Sequence, residues 1–357
     1  MNRSRYSFMF LLLVTILVGC QYEPDGSNGR EIDEIQNTEQ VGTDFREEPI
    51  PDTIPQGSGQ SQTFSFSILD SVEYDIQENL KLVNNGPASP LKQNLWVVLI
   101  SDDHPYQEVV ERKISPEDYD IVVDEHGNQI AEFDFSDMPP DTEINVEIEY
   151  TVKVNKLRYD LSSCEGELPD IYTEAELHIE SENPQIISLS EELAQDQLTV
   201  CDQVRAIYEY VGNELVYTYN GGNWGAQAAL GKMGADCTEY ASLMIALSRA
   251  AGIPARYIEG LNFTPEGEEG LARQEHAWLE VYLPGAGWTP MDPTQGRSSI
   301  TREAYFAQLP PDHIIVSRGR NPSTLRGSSY WTYLYWPGDS TEINIEQFEW
   351  VITPKSD

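Results

Sequence analysis

Between Asp141 and Leu157 the chain reads "DTEINVEIEYTVKVNKL". Ile144, Val146, Ile148, Tyr150, Val152 and Val154 fall at one parity of that run, and Glu143, Asn145, Glu147, Glu149, Thr151 and Lys153 at the other. Successive side chains of a strand point to opposite faces, so this spacing predicts one dry and one wet face, as in an antiparallel sandwich. The stretches "FSFSILDSVEY", "QNLWVVLISDD" and "YDIVVDEHGNQIAEFDF" add strands, the last folding back at a His126, Gly127, Asn128 turn. Residues 61–182 are therefore expected to form an all-β sandwich. It holds no convergent reactive set. His104 and His126 sit in turn contexts and read as surface histidines.

Near residue 199 the period lengthens. Thr199 is placed to cap a helix with Asp202 three residues on, and Val204, Ile207, Tyr208 and Val211 follow at helical spacing. A second helix is predicted in "CTEYASLMIALSRAAGIP", with Cys237 at its start, Ala241, Met244, Ile245 and Ser248 on one side, and Gly252 and Pro254 as its stop. Strands return in "ARYIEGLNF", "EHAWLEVYL" and "WTPMDPT", and the tail supplies "HIIVSRGR", "YWTYLYW" and "INIEQFEWVI". Helices first and sheet afterwards make residues 183–357 an α+β core with a C-terminal β extension.

The first residues, "MNRSRYSFMFLLLVTILVGC", place Arg3 and Arg5 before an apolar run from Phe8 to Val18. That run is shorter than the about 20 residues a lone membrane-spanning helix needs, and a signal peptide over 1–19 fits it better. Its end resembles the bacterial lipobox, which makes Cys20 the expected acylation site. The expected location is extracytoplasmic, anchored through Cys20 to the cell membrane or outer membrane. Residues 20–60, rich in Asp, Glu, Gly, Pro, Ser and Gln, read as a disordered acidic tether. The net charge of −38, from 60 acidic against 22 basic residues, opposes nucleic acid as a partner.

With Cys20 assigned to lipid, Cys164, Cys201 and Cys237 remain, an odd count in an oxidising compartment. If one pair is bridged, one thiol stays free. A nucleophilic cysteine must be held as thiolate, which a helix N-terminus and a protonated histidine both favour. Cys201 also lies in the first turn of a predicted helix, so position alone does not select Cys237, and a partner must be found. His276 opens a strand in which Ala277, Leu279, Val281 and Leu283 form one face, leaving His276, Trp278, Glu280 and Tyr282 on the other. The "PGAG" turn sends the chain back through Trp288 to Asp292, so His276 and Asp292 are expected to meet at one end of a hairpin. Thiol, imidazole and carboxylate would then stand as nucleophile, base and orienter.

"CTEYASLMIALSRAAGIPARY", followed by "HAWLEVYLPGAGW" and "DPT", resembles the core of the bacterial transglutaminase-like superfamily, whose fold is similar to papain-type cysteine proteases. The resemblance covers about residues 195–300, and "SRGRNPSTLRG" is similar to a segment that often follows that core. It implies helices packed on an antiparallel sheet or barrel, with Cys237 as nucleophile, His276 as general base and acid, and Asp292 as its orienter. Many members carry "GVCQDFA" where this chain has "GADCTEYA", a difference that bears on substrate choice. An oxyanion hole would use the backbone N–H of Cys237 and a second donor, for which Trp224 is the candidate beside a packing role. Cys164 and Cys201 can be bridged in an oxidising compartment, a pairing that spacing alone does not select, while the other pairings would consume Cys237. No cofactor is implied, and no metal: "TPEGEEG" lacks calcium-ligand spacing. The expected partner is a protein or peptide substrate. Acyl transfer to an amine, peptidase or amidase hydrolysis, and noncatalytic adhesion or scaffolding are the three readings this leaves. Trp278, Trp288, Tyr257 and Tyr282 would line a tunnel or fill the core.

Overall fold

The structure, a computed structural model, describes residues 66–355 apart from 163, 220–224, 232–233, 265–274, 323–331 and 336–342. Cys20 and Trp224 lie outside the described residues, as do the leader and the tether.

Two four-stranded antiparallel sheets realise the alternation. Strands β1 (Phe66–Asn84), β3 (Gln107–Ser115) and β6 (Thr142–Tyr159) lie in one, and β2 (Asn94–Val98), β4 (Asp120–Val123) and β5 (Gln129–Asp134) in the other. Along β6, Val146, Ile148, Tyr150, Val152 and Val154 are buried, as their parity predicts, while Ile144 at the strand's start is only partly so. A third four-stranded sheet is built from β7 (Ala255–Asn262), β8 (Glu275–Leu283), β9 (Gly287–Met291) and β10 (His313–Arg318), in the order β10-β7-β8-β9. The last strands, β11 (Thr332–Tyr335) and β12 (Asn344–Pro354), differ from expectation. Instead of extending the 183–357 core, β11 pairs with β2 and β12 with β1, so the end of the chain completes the sandwich. The sequence pattern marks these residues as strands but carries no information about which strand they join.

Among the described residues, helix α4 (Cys237–Ala250) packs on the third sheet, and α1 (Pro184–Ala194), α2 (Val200–Glu214) and α3 (Gly225–Leu230) pack on α4. Helix α2 starts as its sequence predicts: the Thr199 side chain accepts from Asp202 N, and the Asp202 side chain accepts from Thr199 N. Helix α4 goes further than its one apolar face suggests, since every residue from Glu239 to Arg249 is buried. Its buried arginine finds partners inside. Arg249 donates to Ala255 O, Glu174 O and Glu176 Oε1, the Glu176 contact at 2.8 Å being an ion pair. A disulfide joins Cys164, after β6, to Cys201 in the first turn of α2, with Cα atoms 5.9 Å apart. Closing a loop of 37 residues constrains the unfolded chain by about 4 kcal/mol in the chain-entropy model.

The third sheet is shared by two cores. Ala277, Leu279, Val281 and Leu283 of β8 join the helix-side cluster, while Trp278 joins the sandwich-side cluster with Ile258, Ile314 and Ile315. Trp278 is fully buried and fills core. Gly260, paired with His276 in the ladder, makes room for it: a Cβ there would lie 2.2 Å from Trp278 Cη2 and from Ile314 O. On its other side β10 meets sandwich side chains in place of another strand. Gln107 Nε2 donates to Ile315 O and Gln107 Oε1 accepts from Ile315 N; Asn128 does the same to the C=O and N–H of Arg318. His126 is also no surface histidine. Its Nε2 lies 3.0 Å from Arg320 O and its Nδ1 3.0 Å from the Tyr172 hydroxyl, clasping sandwich to core.

A Gln107→Leu substitution would leave the buried N–H and C=O of Ile315 without their side-chain partner, at a cost of about 1–3 kcal/mol. Urea unfolding of wild type and variant is expected to show that loss.

Candidate active site

Cys237 is the first residue of α4 and is half-buried. The helix starts here because Asp236 caps it: the Asp236 carboxylate accepts from Thr238 N at 3.1 Å, and Glu239 Oε2 accepts from Asp236 N at 3.0 Å. These cap bonds use the N–H groups of residues 236, 238 and 239 and leave that of Cys237 outside the box. The thiol therefore stands at the positive end of the helix dipole.

The hairpin register brings the imidazole and carboxylate together. Leu279 pairs with Met291, so the next residue, Asp292, comes beside Trp278, one step along the same face from His276. Asp292 Oδ2 lies 2.7 Å from His276 Nε2. Cys237 interacts with the same imidazole and helps to raise its pKa. The structure thus brings Cys237, His276 and Asp292 together, and places Cys164 and Cys201 in a bond that leaves Cys237 free.

Asp292 is fully buried and completely occupied. Its Oδ1 accepts from the backbone N–H groups of Thr294 at 2.8 Å and Gln295 at 3.0 Å, a turn that the "DPTQ" sequence forms by itself. Its Oδ2 accepts from His276 and faces a second imidazole, His313 Nε2, at 3.2 Å. His313 has no motif of its own; it opens the apolar run "HIIV" and reads as a strand residue. The signal that marks it is the Asp312–His313 pair at the head of that run, two ionisable side chains where a buried strand begins. Behind the site, Trp278 stacks against His276 with ring centroids 5.8 Å apart and meets His313 edge-on at 5.1 Å.

Electrostatics follow from these contacts. Burial alone would lower the pKa of His276, but the charge of Asp292, its hydrogen bond and the contact with Cys237 outweigh burial and push it up to about 10. Burial would raise Asp292, and the two histidines, His276 foremost, hold it well below the usual carboxylate range. His313 is raised as well, by Asp292 and Asp312 against its burial.

His276, Asp292 and His313 present ligand-type atoms within 4.8 Å of one another. Two ligands on a tetrahedral zinc ion stand roughly 3.3 Å apart, whereas His276 Nε2 and Asp292 Oδ2 are 2.7 Å apart. The spacing is that of a direct hydrogen bond.

Residues 187–293, which include the thiol, the first imidazole and the carboxylate, match the model of the Transglutaminase-like superfamily. The chain carries a transglutaminase-like domain. It is 28% identical over 173 residues to YebA of Bacillus subtilis, a match covering 43% of this chain and 22% of that protein. A protein-glutamine gamma-glutamyltransferase of Pseudomonas aeruginosa is 33% identical over 122 residues, covering 31% of this chain and 18% of the relative. The matched parts span about a fifth of these relatives' lengths. A solved structure of a candidate cysteine protease from Cytophaga hutchinsonii superposes with a TM-score of 0.56 at 14% identity, over 82% of this chain and 94% of that one. That likeness is one of fold, and its extent takes in the sandwich as well as the transglutaminase-like domain. The matched segment is of the transglutaminase-like kind.

The pKa of His276 fixes a sign. A histidine raised from about 6.5 to about 10 contributes stability that is fully present below about pH 6.5 and is lost as pH rises through about 10. Thermal unfolding of the wild type is expected to decline across that window by a few kcal/mol, and His276→Gln to flatten the decline. Asp292→Ala strands two buried imidazoles and is expected to cost about 3 kcal/mol or more at neutral pH, read from urea curves.

Proposed function

We propose that the protein is a cysteine acyl-transfer enzyme of transglutaminase type, with Cys237 as nucleophile, His276 as base and acid, and Asp292 as orienter. The observation that carries this reading is the His276 imidazole, held at Nε2 by Asp292 at 2.7 Å and interacting with the thiol at the start of α4.

The steps follow from that geometry. His276 takes the proton of the Cys237 thiol, and the resulting ion pair is stabilised by Asp292 and by the helix dipole. The thiolate attacks the carbonyl carbon of a carboxamide. As the C–N bond breaks, the proton held on His276 passes to the departing nitrogen, leaving a thioester and ammonia. The Cys237 N–H, outside the capping box, is a donor for the oxyanion. His276 then removes a proton from an incoming amine, which displaces the sulfur and restores the thiol. With water as acceptor the same steps give a hydrolase. The name of the Pseudomonas aeruginosa relative supports transfer.

The leader-like N-terminus, Cys20 in its lipobox-like context and the disulfide support an extracytoplasmic location with a lipid anchor. A protein or peptide at the cell envelope is the substrate class this reading takes.

Incubation with a glutamine-containing peptide and a labelled primary amine is expected to give amine incorporation with release of ammonia, and Cys237→Ala to abolish both. Ammonia release without incorporation selects the hydrolase; cleavage of the peptide chain selects the peptidase. Iodoacetamide should alkylate Cys237 rapidly near neutral pH, and His276→Ala should slow that reaction by about 10-fold or more. Equal, sluggish rates in both proteins would overturn the enzymatic reading and favour a scaffold.

A further inference from the structure

Asp292 serves two imidazoles, and the second lies outside the matched segment. His313 is fully buried at the head of β10, 20 residues beyond the end of that segment. Its two ring nitrogens both face carboxylates: Nε2 faces Asp292 Oδ2 at 3.2 Å, and Nδ1 faces Asp312 Oδ1 at 2.6 Å. A neutral imidazole has a single N–H and would turn a lone pair against one of these oxygens. The ring satisfies both only as the cation. The amide nitrogen of Asn262 lies 3.2 Å from Nδ1 and donates to Asp312 Oδ1 at 3.4 Å, so it holds the same carboxylate that faces the ring.

The rest of the environment fixes this ring in place. Tyr106 of the sandwich donates to the backbone oxygen of His313 at 2.7 Å, Trp278 meets the ring edge-on, and Tyr305 packs beside it at 5.9 Å. An apolar side chain would fill such a slot between Trp278 and Tyr305 without needing a charge.

We propose that His313 is a positioning residue of the site: its grip on Asp292 Oδ2 sets how much of that carboxylate is left to hold His276. The inference rests on reading Cys237 and His276 as nucleophile and base. Oδ2 divides its attraction between a short bond to His276 and a longer one to His313. The His313 cation also opposes a second positive charge on His276, with ring centroids only 5.7 Å apart. His313 thereby restrains His276 from keeping its proton too tightly to deliver it to the leaving group. Asp312, one-third exposed, ties this restraint to the surface.

The charged and titratable groups facing the two imidazoles or the carboxylates bonded to them are Cys237 from α4, Tyr208 from α2, Asp292 after β9, Tyr305 from the 3-10 turn Arg302–Tyr305, Asp312 before β10, and Tyr74 and Tyr106 from the sandwich. The tyrosines are all raised, burial being the first cause in each, so they stay neutral while the histidines titrate.

The test uses the full chain with 15N-labelled histidine. The titration of His276 by NMR and the pH dependence of Cys237 alkylation are compared in wild type, His313→Phe, His313→Gln and Asp312→Asn. His313→Phe is expected to move the His276 titration and the alkaline transition of alkylation upward by about 1 pH unit. His313→Gln, which keeps a donor without a charge, should give a smaller upward shift. Asp312→Asn, which leaves Asp292 untouched, should shift in the same direction by less than His313→Phe. Folded variants whose His276 titrates at the wild-type pH or below would overturn the proposal and leave His313 as packing alone. Should His313→Phe not fold, Asp312→Asn decides. Should Cys237 of the wild type prove unreactive, the enzymatic reading fails, and the NMR titration still decides the role of His313.

Discussion

A single buried carboxylate organises this protein. Asp292 is out of contact with water, and a carboxylate stays ionised there only if its lone pairs are matched by donors. Two backbone N–H groups and two imidazoles supply them. Each donor comes with a structural requirement. The backbone pair needs the tight turn after β9, His276 needs the β8–β9 register, and His313 needs β10 to run along the opposite side of β7. The main chain of Asp292 is held as well, its N–H donating to Tyr305 O and its C=O accepting from Gly296 N. The site's geometry therefore follows from the fold of the whole sheet.

The sandwich is part of that arrangement. Trp278 separates His276 and His313 from the sandwich core, and Gly260 is bare because the indole lies across it. The backbone of β10, which carries His313, is pinned by Gln107 and Asn128, whose amides imitate a neighbouring strand with one donor and one acceptor each. A buried ion network lies at the same boundary: Glu280 pairs with Arg256 at 2.7 Å, and Arg318 bridges Asp103 of the sandwich to the sheet. The β region reads from its strands as an independent domain, yet it forms the rear wall of the thiol site.

What the sequence made legible was periodicity and local chemistry. The alternation in β6, the Thr199–Asp202 capping box, the two faces of β8 and the hairpin that joins His276 to Asp292 are all consequences of spacing over a few residues. Cys237 at a helix start and the family pattern around it belong with these. The illegible parts are long-range. Nothing near β11 or β12 says that they pair with strands more than 200 residues earlier. Nothing near His126 says that it clasps Arg320. His313 was hidden because a strand that begins with histidine is read for its apolar successors, and its meaning depends on an oxygen 21 residues away. Glu280 likewise falls on the face opposite the apolar one; it is buried because that face meets another layer, and arginines neutralise it there.

The pairing of β1 with both β6 and β12 has a consequence for how the molecule is made. The first described strand is an inner strand of its sheet, and one of its two neighbours is the last described strand, with Tyr74 opposite Pro354. As synthesis proceeds, β1 can join β6 early, but its other flank keeps a row of unpaired N–H and C=O groups until everything else has emerged. Contacts this distant in sequence close slowly. Completion of the outer layer is thus a late event, and a chain released before β12 has formed would leave that seam open.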